Sequence, residues 1–264
     1  KTLPTLDPFA GDGALLNWVD RPARYGIEID RDQVENGNYG SHSIQGDFQK
    51  VYPLLRGLGA KWPQLVVNPP FGLEWKLAGI AEGKNGSSTV RAFQAMLKLL
   101  GRYGQAAFIC GRDRYTKEIA PLPEAKHVWA KIEGEVFFEG VELPCVLCFV
   151  VGESFVKEGQ DLLTIEGGRR EELAECWPRL NAERDRRTDY DPRYSGLGFS
   201  KIESVFGAAA GEHRRRSNGI QRKGHDLSLS GSKIQVRLGE YSKVALAQIG
   251  YTAVESVREI NGLA

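Results

Sequence analysis

The chain is poor in cysteine, with four in 264 residues. Cys110, Cys145, Cys148 and Cys176 are too few for a disulfide scaffold, and they fit a reduced, cytoplasmic setting. Nowhere does an uninterrupted apolar run approach the roughly 18 residues that a membrane helix needs, so a membrane partner is not expected. The opening Lys1-Thr2-Leu3-Pro4 lacks the basic-then-apolar pattern of a signal peptide. Methionine occurs once, at Met96, so the sequence reads as a processed chain or a piece of a longer one. Charge of one sign is missing as well. Lys plus Arg is 35 and Asp plus Glu is 34, a balance that argues neither for nor against nucleic acid. Cys145 and Cys148 have metal-like spacing but no second Cys or His pair to complete a site, and they read as two core thiols with no metal. His42, His127, His213 and His225 are scattered and form no metal or triad pattern. A Gly-x-Ser-x-Gly elbow is absent, which leaves serine hydrolysis without support.

What is present builds a core. Apolar residues make up 41% of the chain and charged residues 26%, ordinary values for a globular protein. Strand and helix signals alternate through the first 150 positions. Residues 2–6, 24–29, 43–45, 64–67 and 105–110 read as strands. Helical spacing marks 14–19 and 88–100, the latter with Ser87 or Ser88 as N-cap. Such alternation predicts an α/β fold with a mostly parallel sheet covered on both faces. Residues 133–138 and 144–151 close it as a hairpin, so one strand near the end should run antiparallel. After Gly152 the rhythm fails. Residues 159–168 finish a small sheet, 171–181 read as a helix, and 244–260 as a last amphipathic one. Between Arg179 and Arg237 there are 13 Lys/Arg against 7 Asp/Glu, which is either a solvated face or a phosphate-contacting one. The division expected is a domain at 1–152 and an extension at 153–264.

Three strand ends carry acids or glycines. Asp7, Gly11 and Gly13 form a turn after the first strand, where glycine permits tight bending and close approach of a ligand. Taken alone this is either a ligand turn or a structural one. Glu28, 15 residues past Gly13, can accept from both hydroxyls of a ribose. Asp47 after the third strand can accept from an adenine amino group. Neither a Gly-x-Gly-x-x-Gly pyrophosphate turn nor a Walker lysine is present, so a nucleoside without phosphates fits best. The fourth strand ends in Asn68-Pro69-Pro70-Phe71. A residue before proline is pushed out of the α region, and each proline fixes φ and lacks an N–H. The stiff turn holds the Asn68 carboxamide oxygen and the Pro69 carbonyl as two acceptors. They suit the two hydrogens of an aromatic amine, whose lone pair is freed for attack once they are held out of plane. Phe71 can stack on the base that carries the amine, at about 1–3 kcal/mol per base. Trp75 either flanks this pocket or packs in the core.

In combination these motifs resemble the class I S-adenosylmethionine-dependent methyltransferases, and among them the DNA adenine methyltransferases with an Asn-Pro-Pro-Phe motif. The resemblance spans roughly residues 2–151. It implies a Rossmann-like, seven-stranded sheet with a less regular C-terminal extension. It further implies that Asp7, Pro8, Phe9, Ala10, Gly11, Gly13, Glu28, Ile29, Asp47, Phe48 and Asn68 contact S-adenosylmethionine, while Asn68, Pro69, Pro70 and Phe71 are catalytic. The segment 136–149 resembles the aromatic border of the base pocket. The motif order is similar to that of type I, type IIG and helicase-fused enzymes of restriction and modification. The helix that normally precedes the first strand is not in this sequence, and residues after 152 match no target-recognition domain. A larger polypeptide or complex is therefore expected to supply target recognition, with DNA as the partner. Two alternatives stand beside this: an RNA adenine or guanine amino-methyltransferase, and an inactive methyltransferase fold kept as a nucleic-acid-binding subunit. Protein glutamine methylation, whose related motif usually ends in tyrosine, ranks lower.

Overall fold

The computed structural model describes residues 3–38, 42–80, 86–138, 141–166, 170–194, 228–229 and 232–233. The chain divides into two compact units, Lys1–Lys61 with Gly198–Ala264, and Trp62–Leu197. In the first, strands β1 (Thr5–Asp7), β2 (Arg24–Glu28) and β3 (His42–Gln45) run parallel, with β2 in the middle. Every residue of β1 is buried and β2 is exposed only toward its end, as expected for parallel strands covered on both faces. Helix α1 (Arg31–Asn36), with no buried residue, connects β2 to β3, and α2 (Phe48–Gly57) follows β3 with one face buried. Each begins at an aspartate cap: Asp30 accepts from the N–H groups of Asp32 and Gln33, and Asp47 from that of Gln49. Phe48, Val51, Tyr52 and Leu55 recur at helical spacing and form the buried face of α2. Residues 228–229 and 232–233 form a small antiparallel pair, β11 and β12.

The helix expected over 14–19 does not form. A single 3-10 turn at Ala14–Leu16 takes its place. Arg24, buried at the start of β2, fastens this segment. Its guanidinium donates to the carbonyls of Val19 at 2.7 Å, Asn17 at 3.0 Å and Asn38 at 3.0 Å. The carbonyls of Asn17 and Val19 would lie in the last turn of such a helix and have no helical partner in any case, so the decisive factor is length: six residues do not repay the cost of helix nucleation.

In the second unit five strands form a mixed sheet. They are β4 (Trp62–Val67), β7 (Leu100–Gly111), β8 (Val128–Phe138), β9 (Val141–Val151) and β10 (Leu163–Glu166), in the order β10-β8-β9-β7-β4. β4 pairs parallel with β7, and β8 with β10; β9 runs against both of its neighbours. The expected antiparallel strand near the end is thus β9, and the closing hairpin is longer than its sequence pattern. Between β4 and β7 lie the short hairpin β5 (Glu74–Trp75) with β6 (Gly86–Ser87) and helix α3 (Ser88–Leu99). The N-cap of α3 is Ser87, whose hydroxyl accepts from the Val90 N–H. After β7 a short helix α4 (Arg112–Arg114) runs into a π-turn at Tyr115–Ile119.

Order continues past Gly152. Phe155, Leu163, Ile165 and Leu180 share one buried cluster with Trp129, Ala130, Ile132 and Val151. Helix α5 (Arg170–Arg187) carries Leu180 into it. The expected helix at 244–260, most of the basic stretch after Tyr194 and the side chain of Cys176 lie outside the described residues. No described helix is long and apolar enough to cross a membrane.

Candidate active site

Because β1, β2 and β3 run parallel, Asp7, Glu28 and the Gly46-Asp47 turn fall along one edge of the first unit. Asp7 is fully buried. Its Oδ1 accepts from the Phe9 N–H at 3.0 Å, and its Oδ2 is buried with no hydrogen-bond partner. Burial raises its pKa from 3.8 to about 7; the Phe9 N–H opposes the shift and the Glu28 charge adds to it. Pro8 and Ala10 are buried behind the turn, where the Ala10 N–H donates to the Ile27 carbonyl at 3.0 Å. The Phe9 ring meets Phe48 edge-on at 4.8 Å between centroids.

The glycine turn folds over Glu28. Gly11 has φ +53°, and its N–H donates to Glu28 Oε2 at 2.7 Å. Glu28 Oε1 accepts from the Asp30 N–H at 2.9 Å. Gly13 needs to be glycine for two reasons: its φ is +82°, and a Cβ would stand 3.0 Å from the Asn38 carbonyl carbon. Ile29 is 65% exposed, an apolar side chain left open beside the acid. Asp47 is half-buried, and its Oδ1 is engaged by the Gln49 N–H at 2.9 Å. The structure therefore gathers Asp7, Gly11 and Glu28, and separately Phe9 and Phe48. A carboxylate faces the turn's N–H, so the turn is a poor phosphate cradle, which agrees with a ligand bearing hydroxyls or positive charge.

The second group lies wholly in the second unit. Asn68 directly follows β4, and its Oδ1 is buried with no partner. Pro69 is buried and Pro70 half-buried. The Pro70 carbonyl accepts from the Ser88 hydroxyl at 2.6 Å, and the Leu73 carbonyl from the Ser88 N–H at 2.8 Å. The Phe71 ring is 43% exposed. Trp75 is buried, so of its two readings the structure shows packing.

Sequence reasoning missed Ser88 and Arg24. Arg24 had a signal, an arginine at the head of an apolar strand run. A cation buried there must find several acceptors. Ser88 looked only like an alternative helix cap. The described part of the basic stretch is largely paired with acids. Arg184 meets Asp185 at 3.0 Å, Arg186 and Arg187 meet Glu183 at 2.7 and 2.8 Å, and Arg193 meets Asp191 at 2.5 Å.

No family model matches the chain, and no curated protein matches it in sequence. Solved structures do. The type I restriction enzyme EcoKI M protein is similar at 16% identity and a TM-score of 0.50, over 99% of this chain and 68% of that one. The fold is the Rossmann-like fold of that M protein. A type I restriction-modification methyltransferase subunit from Streptococcus thermophilus is similar at 16% identity and a TM-score of 0.48, over 70% of this chain. So is a protein from Listeria monocytogenes described as a class I S-adenosylmethionine-dependent methyltransferase, at 12% and 0.47 over 69%. The chain covers 48% of the Streptococcus subunit and 64% of the Listeria protein.

Proposed function

We propose that the chain is an S-adenosylmethionine-dependent DNA adenine methyltransferase, acting on the exocyclic 6-amino group of a flipped or single-stranded adenine. The observation that carries this is the buried, unpartnered Asn68 Oδ1 directly after β4, followed by two imino acids and an open aromatic ring. An orphaned buried acceptor costs about 1–3 kcal/mol. A fold retains that cost most readily where a ligand's N–H completes the bond.

The residues of the first unit fit the cofactor. Asp7 Oδ2 offers an unused buried oxygen to a cationic or N–H group, Glu28, held by the Gly11 N–H, is a carboxylate able to accept from ribose hydroxyls, and Ile29 offers an apolar face to a base. Asp7, Pro8, Phe9, Ala10, Gly11, Gly13, Glu28, Ile29, Asp47 and Phe48 would hold it. S-adenosylmethionine, when bound, supplies an already activated methyl electrophile. Asn68 Oδ1 and the Pro69 carbonyl accept the two amine hydrogens, hold them out of the ring plane and so localise the lone pair for attack. Asn68 orients and polarises; the proton lost from the amine once it carries the methyl group passes to solvent water. Phe71 stacks on the flipped base and offsets part of the few kcal/mol that flipping costs. We place this chemistry in residues 1–152. Residues 153–264, with further polypeptide, serve target contacts.

Radiolabelled methyl transfer to duplex DNA, single-stranded DNA and RNA, followed by digestion to nucleosides, tests the reading. N6-methyladenine from DNA is the expected product. Label in RNA alone would replace the substrate, and cofactor binding without transfer to any polymer would leave a nucleic-acid-binding subunit.

A further inference from the structure

Ser88 is completely buried at the first turn of α3, and the chemistry above makes no use of it. It nevertheless holds the catalytic turn twice. Its hydroxyl donates to the Pro70 carbonyl at 2.6 Å and its N–H to the Leu73 carbonyl at 2.8 Å. One residue thus closes both ends of a bracket around Phe71 and Gly72. Within the bracket Gly72 adopts φ +76°, which turns the chain sharply, while the Phe71 ring stands open. Ser87, one residue earlier, does different work. Its hydroxyl accepts from the Val90 N–H at 3.3 Å and donates to Glu118, which also holds Arg114.

The turn offers three oxygens in succession, Asn68 Oδ1 and the carbonyls of Pro69 and Pro70, whereas an amino group has two hydrogens to place. Neither proline can donate a backbone hydrogen bond that would anchor the turn from within. Among the described residues, Ser88 supplies anchoring from outside the turn.

We propose that Ser88 is a positioning residue for the Asn-Pro-Pro-Phe turn: it fixes the stance of the Phe71 ring and withdraws the Pro70 carbonyl from competition for the target amine. The proposal rests on the methyl-transfer reading for its consequence, and on the bracket alone for its geometry.

The test uses the full chain with 4-fluorophenylalanine at position 71, read by fluorine NMR, together with kcat and KM for methyl transfer. Three backgrounds are compared: Ser88→Ala, Ser88→Thr and Ser87→Ala. With Ser88→Ala, the fluorine line should broaden or split and kcat should fall about tenfold to a hundredfold, while cofactor affinity stays unchanged. Ser88→Thr, which keeps the hydroxyl, should restore both. Ser87→Ala loses a helix cap and should melt earlier, yet keep a single fluorine line. A single unchanged line with Ser88→Ala, or equal line and rate changes with Ser87→Ala, overturns the proposal. Should Ser88→Ala fail to fold, Ser88→Cys keeps the volume with a weak donor, and the same spectrum decides. A wild-type chain that neither binds S-adenosylmethionine nor transfers its methyl would refute the functional reading, and the fluorine comparison would still decide the role of Ser88.

Discussion

Asp7 and Asn68 each keep a buried oxygen unmatched, and both lie at positions the sequence singled out. Their place was legible because each ends a β-rich run and opens a turn of glycine or proline. Their energetic state was not, since burial depends on what packs above a residue. Asp7 gives a prediction with a definite sign. An acid whose pKa rises on folding favours the fold while protonated, so its contribution is full below 3.8 and is lost as the pH climbs through about 7. Wild-type melting temperature should fall across that window, and Asp7→Asn should flatten the fall. Thermal melts of both proteins from pH 4 to 9 check this; parallel curves would contradict it. Cofactor affinity should move the other way, tightening up to pH 7 as Asp7 ionises to meet a cation and levelling off above it, as measured by calorimetry.

At the scale of elements, the strands and the order of the motifs could be read from period and punctuation, and the segment after the glycine turn could not. Helical spacing over 14–19 was real, but six residues are too few to repay helix nucleation, and the segment is fastened instead by the buried guanidinium of Arg24. A single sequence shows no such long-range donor. Replacing Arg24 by leucine strands three carbonyls and should cost about 2–4 kcal/mol in denaturant unfolding. Gly13→Ala should cost about 1–3 kcal/mol, because its φ of +82° and the Asn38 backbone 3.0 Å away both resist a Cβ. An alanine variant as stable as wild type would mean that the turn relaxes freely. The bracket made by Ser88 was equally hidden, since it joins residues 18 positions apart.

For the whole molecule, the sequence's break at Gly152 marks a change of rhythm but not the end of a core. Charged spacing in residues 153–190 hid the few apolar anchors, Phe155, Leu163, Ile165 and Leu180, that pack against Trp129 and its neighbours. Phe155→Ala should lower stability by about 3–5 kcal/mol in denaturant unfolding, as emptying a packed aromatic site does. A chain cut after 152 loses all four anchors and should not refold cooperatively; a sharp two-state melt of that fragment would refute the shared core. The account as a whole depends on one oxygen at the end of β4. Labelled methyl transfer to DNA by Asn68→Ala, measured beside calorimetry with S-adenosylmethionine, tests it most directly. Transfer should drop by about a hundredfold to a thousandfold with cofactor binding intact. Full activity in that variant would contradict the account.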